Sequence, residues 1–592
     1  MGKKDYSSFT KDELIKEVES LKKQKTYGLV WEEDKTKENF DYYINWDGIK
    51  NKELFKDTEN KFPVVKEIYA NNLFFSKDSD YNLVIEGDNY HSLAVLNFTH
   101  KNSIDVIYID PPYNTGNKDF KYNDQWVDKE DSYRHSKWLS FMEKRLKLTK
   151  DLLKKTGILI ISIDDNEVAQ LKLLCDELFG KENFIALMPR LTKKGGKSSD
   201  DISSNHDYVL IYTRTKKAVF NKIEHTDSGF KHKDEFFKER GLYKLNQTLD
   251  YDSIQYSRSL DYEINIGGTL MRPGGSTKQE MQKRQEKNPD RDFCWRWSKE
   301  LFDFGLKNGF VVVKEYKNKS PRIYTKTYQN ATISEDESNK YYVELLPRAK
   351  AISTIDFLDN AYSNDSAKKE LKNYFGKVMF DYPKPTKLVE ELIKITSNKN
   401  SIILDFFAGS GTTGDAVLKL NSEDGGKRKF ILCTNNENGI CAQVTYPRIE
   451  KVINGYTGFI DKLNYKGLKT NLKYYKTDFV DSKGTDKNKR KLVNESTDML
   501  CIKESAFEKV VDKEEYKIFK NGKIHLGIIF DEDFVLDFIK DAKKIDNKIN
   551  VYVFSLDASV PEDEFEEIKD KVNLCPIPEV ILQVYRRVFK ND

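Results

Sequence analysis

Six cysteines in 592 residues, with no CxxC pair among them, leave neither a zinc site nor a disulfide framework in view. Long apolar runs are missing as well. The longest, such as Gly157–Ile163, are far too short to cross a bilayer. No basic-then-apolar leader opens the chain, which sets the expectation of a cytoplasmic protein with no membrane partner. Nor does one sign of charge dominate: 99 Lys and Arg against 96 Asp and Glu give a net charge of +3. A nucleic-acid partner would therefore have to be met by a local basic face rather than by the whole molecule. There is no internal repeat. What remains is a soluble composition, 38% hydrophobic and 33% charged, on a chain too long for one core.

Strand–helix alternation begins near residue 80. Expected strands are Tyr81–Glu86, Ile104–Ile109, Gly157–Ile163 and Asp207–Tyr212; expected helices are Tyr90–Asn97, Trp138–Lys155 and Asn166–Phe179. Such alternation predicts a parallel sheet with helices on both faces. Residues 190–375 break the pattern and read as polar, aromatic-rich and irregular. Positions 190–350 carry about eight more basic than acidic residues, although any single Lys or Arg there reads first as ordinary solvated surface. The order returns near 380 with a helix over Leu388–Thr396, a strand over Ser401–Asp405, a further helix and a strand over Lys429–Cys433. Asp481–Lys491 reads as a charged linker, and 495–592 as a small α/β unit with strands near 523–530 and 550–555. At the other end, Leu14, Val18 and Leu21 stripe a short helix over 10–25, for core packing or for a dimer contact.

Two motifs carry chemistry. Asp110-Pro111-Pro112-Tyr113 follows a buried strand, and its two prolines stiffen the backbone and remove two N–H donors. A carboxylate and a fixed carbonyl can accept both hydrogens of an exocyclic amine, while the tyrosine ring offers a stacking face. An extruded base bearing NH₂ requires those features; a capped turn with a surface tyrosine is the plain alternative. The second motif is Phe407-Ala408-Gly409-Ser410-Gly411-Thr412, between a strand and a helix. Its glycines allow close backbone approach and the helix N-terminus offers N–H groups to a carboxylate; the loop is read as neither the Gly-x-Gly-x-x-Gly of a dinucleotide site nor the GK[ST] of a phosphate loop. Both motifs fall at carboxyl ends of expected strands, where open α/β sheets bind ligands.

Asp-Pro-Pro-Tyr followed far downstream by Phe-x-Gly-x-Gly-Thr resembles the β-group amino-methyltransferases of DNA. In that group the catalytic motif precedes the cofactor motif and the target-recognition domain lies between them. The resemblance implies an α/β fold: a Rossmann-like methyltransferase sheet, an inserted target-recognition domain and a small C-terminal α/β domain. The implied bounds are 1–60 for an N-terminal helical or dimerisation segment, 61–189 for the catalytic half, 190–375 for target recognition, 376–480 for the cofactor half and 481–592 for the C-terminal domain.

Within the group the likeness is strongest to the modification subunit of Type III restriction–modification systems. It includes Tyr27–Trp31, Tyr113–Asn117, Trp138–Met142 and Val444–Arg448. It implies methyl transfer from S-adenosyl-L-methionine to adenine N6 in duplex DNA, a homodimer and a restriction (helicase–nuclease) partner, with no metal. Asp110, Pro111, Pro112 and Tyr113 would act on the base. Asp88 and Asn89, Lys384 and Pro385, Asp405, Phe407 to Thr412 and Asn435 would hold the cofactor. Helix capping competes for Asp88 and Asp405, and Glu437 competes with Asn435 for the ribose. A solitary adenine methyltransferase, a non-catalytic DNA-recognition subunit, and an RNA or protein methyltransferase are the other readings.

Overall fold

The computed structural model describes residues 61–589, apart from 78–79, 124, 196–200, 225–228, 318, 482–484, 523 and 558, together with Thr10, Leu29, Trp31, Glu32 and Thr36. The stripe Leu14, Val18 and Leu21 lies outside the described residues. The Ile, Val and Leu runs become strands buried on both faces, separated by helices that shield them. In chain order these are β1 (Lys61–Glu67), β2 (Tyr81–Glu86), α1 (Asn89–Thr99), β3 (Ile104–Ile109), α2 (Arg134–Leu152), β4 (Leu153–Ile163), α3 (Val168–Phe179), β5 (Phe184–Leu191) and β6 (His206–Thr213). After residue 352 follow α4 (Asn364–Phe375), α5 (Thr386–Thr396), β7 (Ile402–Asp405), α6 (Thr412–Asp424), β8 (Lys429–Thr434), α7 (Tyr446–Asn454) and β9 (Asn471–Asp481).

All nine strands form one sheet in the order β1-β9-β2-β8-β7-β3-β4-β6-β5. The expected parallel arrangement holds from β9 to β4. Both margins run antiparallel, including the strand expected at Asp207–Tyr212. That strand and α4 lie within the stretch 190–375 yet belong to the sheet unit, while the separate compact unit is Lys222–Ile352.

Lys222–Ile352, taken by itself, is not irregular. It contains a three-stranded antiparallel sheet of Tyr243–Thr248, Lys319–Tyr328 and Val311–Tyr316, plus two-stranded ribbons. Its aromatic residues supply its interior: Trp295 and Phe302 pack with Leu249, Ile264 and Ile323. The sequence reading missed these strands because polar and charged residues interrupt them and no apolar alternation marks them.

The C-terminal region forms a five-stranded sheet that includes Ile524–Ile529 and Ile549–Phe554, close to the expected strands. Asp481–Lys491 is not a linker. β9 runs to Asp481 and a helix begins at Asp486, anchored by buried Leu492 and Val493. The two sheets share one core. Met499, Leu500, Ile581 and Tyr585 join Phe62, Val64 and Val95 in a single apolar cluster. The Tyr585 hydroxyl donates to the Pro63 carbonyl, and its ring stacks on Phe62 at 5.5 Å.

Candidate active site

The parallel strands β2, β8, β7 and β3 lie side by side. Glu86 is opposite Thr434, Asp405 opposite Leu432 and Leu404 opposite Ile107, so the loops that follow share one carboxyl edge. Asp88 and Asn89, Asn435, Phe407–Thr412 and Asp110–Tyr113 all stand on those loops. Lys384 reaches them from the segment before α5.

The Asp-Pro-Pro-Tyr turn is gripped through almost every group it offers. Lys384 Nζ donates to both oxygens of Asp110, at 2.7 Å each, from a side chain only 7% exposed. The same ammonium lies 4.7 Å from the centre of the Tyr113 ring, covering one face with a cation. Trp138 Nε1 donates to the Pro112 carbonyl at 2.7 Å, fixing the turn from α2. The Tyr113 hydroxyl donates to Asp207 Oδ2 at 3.2 Å. Asn114, at φ +57°, donates its amide to Glu167 Oε1 at 2.5 Å. Burial pushes the Glu167 carboxyl up to about 8.

The glycine loop is shaped by its backbone. Gly409 and Gly411 have φ of +50° and +77°, values that a side chain rarely tolerates. A Cβ on Gly411 would stand 3.2 Å from the Thr445 carbonyl oxygen. The motif extends one turn further than the sequence reading took it. Gly414 completes a Gly-x-Gly-x-x-Gly run, and a Cβ there would stand 2.6 Å from Ile449, so this glycine lets α6 pack closely on α7. Asp405 accepts from the Phe407 N–H at 3.0 Å and from the Thr413 hydroxyl at 2.5 Å. It therefore braces the loop without capping α6, and burial raises its carboxyl to about 7. Thr412 donates to the Lys384 carbonyl at 3.2 Å, which joins the two motifs.

The remaining expected residues divide. Asp88 caps α1 by accepting from the Tyr90 N–H at 2.8 Å, and its other oxygen lies 3.6 Å from buried Arg145. Arg145 also donates to Asn89 at 2.6 Å. Pro385 caps α5 without a side-chain bond. Asn435 is exposed and accepts from the Glu437 N–H at 3.3 Å, while Glu437 pairs with Lys121.

A family model described as DNA methylase matches residues 104–445, more than half of the chain. The chain belongs to the DNA methylase family. The Mod subunit of the StyLTI Type III restriction-modification enzyme of Salmonella typhimurium is 32% identical over 66% of this chain and 58% of its own length. The EcoPI Mod subunit of Escherichia phage P1 is 31% identical over 67% and 64%. This DNA methylase thus spans about three fifths of those two relatives. The Type II methyltransferase M.KpnI of Klebsiella pneumoniae is 33% identical over 66% of this chain and 88% of its own length.

The group implied by the resemblance suits the residues of this DNA methylase. α6 opens on Gly411 with no side-chain cap, which leaves first-turn N–H groups for a carboxylate. The two positive-φ glycines keep that approach free of Cβ atoms. Sequence reasoning passed over the residues beneath the loop. Arg448, fully buried, donates to Asp415 at 2.8 Å, to Thr412 at 3.0 Å and to Thr386 at 2.8 Å. Thr445 donates to the Gly409 carbonyl at 2.6 Å. Both lie in Val444–Arg448, which the resemblance had marked without giving them a role. Glu167, Arg190 and Asp207 carry no motif at all.

Proposed function

We propose that this chain transfers a methyl group from S-adenosyl-L-methionine to adenine N6 in duplex DNA, as the modification subunit of a Type III system. One observation carries the reading: Lys384 binds the Asp110 carboxylate through its ammonium and the glycine loop through its carbonyl, so both motifs converge on one site. An ionised carboxylate has about four acceptor positions. Asp110, held by Lys384, therefore still accepts hydrogens from N6, with the Pro111 carbonyl as the second acceptor. Together they favour a tetrahedral nitrogen whose lone pair is available. The flipped base stacks on Tyr113, on the face away from Lys384, which offsets part of the unstacking cost. When bound, S-adenosyl-L-methionine supplies the electrophilic methyl. The protein's contribution is mainly positioning, and Asp110 need not be a strong base because the methylated amine is acidic until its proton leaves.

The segment 190–375, centred on the unit Lys222–Ile352, is proposed to choose the sequence. Its basic excess supplies phosphate contacts that position the protein, while base contacts specify. A homodimer and a restriction partner complete this reading, and light scattering near a monomer mass of 69.1 kDa with full activity would remove the dimer. A second reading is a methyltransferase with no restriction subunit, favoured by the coverage of 88% of M.KpnI.

Methylation-sensitive sequencing of DNA from cells expressing the chain tests all of this. Methyladenine on one strand of an asymmetric site is expected. Both strands of a palindrome would favour the second reading, and unmodified DNA would overturn both. Exchanging the 190–375 segment with a relative's should change the methylated motif.

A further inference from the structure

Tyr113 is the one side chain of its turn whose far end is tied to a buried ion pair. Its hydroxyl donates to Asp207 Oδ2 at 3.2 Å. Asp207, 2% exposed, is held in turn by Arg190, 0% exposed, through Nε at 2.6 Å and through a second bond from the terminal nitrogen. Arg190 also donates to the Tyr362 carbonyl at 2.9 Å and to Asn364 Oδ1 at 3.0 Å. The chain of contacts thus runs from the stacking ring into β6, then β5, then the start of α4. Burial, with the nearby charges of Asp110 and Asp207, pushes the phenol well above its usual range, so it stays protonated and donates.

A ring needs only its π-face to stack on a base, and every aromatic residue has one. The hydroxyl of Tyr113 therefore serves something other than stacking. The hydroxyl oxygen lies on the axis of the ring's own rotation, so a bond there acts on the Cα–Cβ torsion instead, and a ring whose tip is released can swing to another rotamer. The tip here is held by an acceptor that cannot itself move, because Arg190 occupies both of its oxygens. Lys384 covers one face of the same ring. A ring that swings away would disturb the Lys384–Asp110 pair as well as the stack.

The geometry points to Asp207 as a positioning residue for the methyl transfer: through the Tyr113 hydroxyl it fixes the position of the ring on which the flipped base stacks. This rests on the proposed reading of the site as a base-flipping methyltransferase.

The test uses the full chain and duplex DNA carrying 2-aminopurine at the target position, after the methylated motif is known. Wild-type, Tyr113→Phe and Tyr113→Ala proteins are compared for 2-aminopurine emission, kcat, KM for DNA and cofactor Kd. Tyr113→Phe is expected to lower kcat about tenfold, as for the loss of a hydrogen bond to a charged acceptor. Its emission should move toward that of Tyr113→Ala, with cofactor Kd unchanged. Asp207→Asn should cost about tenfold alone and less than twofold in the Tyr113→Phe background, since the two changes remove one link.

Emission and kcat of Tyr113→Phe equal to wild type would overturn the proposal, and so would costs that add in full. If Asp207→Asn fails to fold, the Tyr113→Phe comparison decides alone. Failure of wild-type protein to methylate any DNA would instead sink the underlying reading.

Discussion

The two loops of the active site are held by opposite means. The Asp-Pro-Pro-Tyr turn is fixed by side chains from elsewhere: Lys384 before α5, Trp138 on α2, Asp207 on β6 and Glu167 ahead of α3. The glycine loop is fixed by its own φ values and by a buried Arg448–Asp415 pair behind it. A turn clamped from outside can lose one clamp and keep its path. A loop moulded by backbone and built over a buried charge pair cannot lose its support without disturbing the sheet. Damage to the turn should therefore show in chemistry, and damage to the loop in stability and cofactor affinity.

Asp110→Ala separates the two most sharply. Removing a preorganised acceptor costs on the order of 3–4 kcal/mol in the transition state, or about two to three decades in turnover. Cofactor affinity should hardly change. The melting temperature should fall slightly, because Lys384 loses its partner inside the protein. Near-normal single-turnover transfer by folded Asp110→Ala protein would remove the central claim.

Arg448→Ala should do the reverse. It strips Asp415 of one of its two cationic partners, leaving Lys419 at 3.2 Å and the Tyr374 hydroxyl at 2.8 Å. Breaking a buried pair costs about 3 kcal/mol or more. Denaturant melts should show that loss, with activity per folded molecule reduced only as far as cofactor binding weakens. A variant as stable as wild type would show that the loop stands without its buried support.

Gly411→Ala is smaller. A Cβ at φ +77° and 3.2 Å from a carbonyl oxygen strains the loop by about 1–3 kcal/mol. Cofactor titration should report weaker binding, with KM for DNA unchanged; a shift confined to KM for DNA would place the loop on the wrong ligand.

The remaining test is a pH dependence beside the turn. Burial raises the Glu167 carboxyl from its ordinary value of about 4.5 to about 8. The folded state therefore favours its protonated form. The stability it contributes is present in full below the unfolded value and is lost as pH rises toward 8. Glu167→Gln keeps the acceptor for Asn114 and removes the titration. Its melting temperature relative to wild type should climb between pH 5 and 8, and a constant offset would show that Glu167 does not titrate there.

Much of this was legible in the sequence, and the limit is physical. Tyr81–Glu86 and Ile104–Ile109 coincide with the observed strands because both are apolar runs bounded by polar turns. β1 and β9 were missed because lysines interrupt them, as in Lys-Phe-Pro-Val-Val-Lys-Glu. The two motifs announced themselves, as did Lys384 through its neighbours. Glu167, Arg190 and Asp207 did not, because their roles exist only once β5, β6 and α3 have been brought beside β3. The aromatic residues of 190–375 were read as part of a polar, irregular stretch, whereas Trp295 and Tyr328 are interior. Composition does not say which way a ring points.

The shared core beneath the two sheets has a genetic consequence. Tyr585 reaches Pro63 across more than five hundred residues of sequence, and the helices of the C-terminal region cover the face of α1. A stop codon near residue 500 would leave every catalytic codon intact. It would nonetheless strand α1 and β1 with their apolar faces in water. The last hundred residues of this sequence therefore hold up the same fold that carries the motifs.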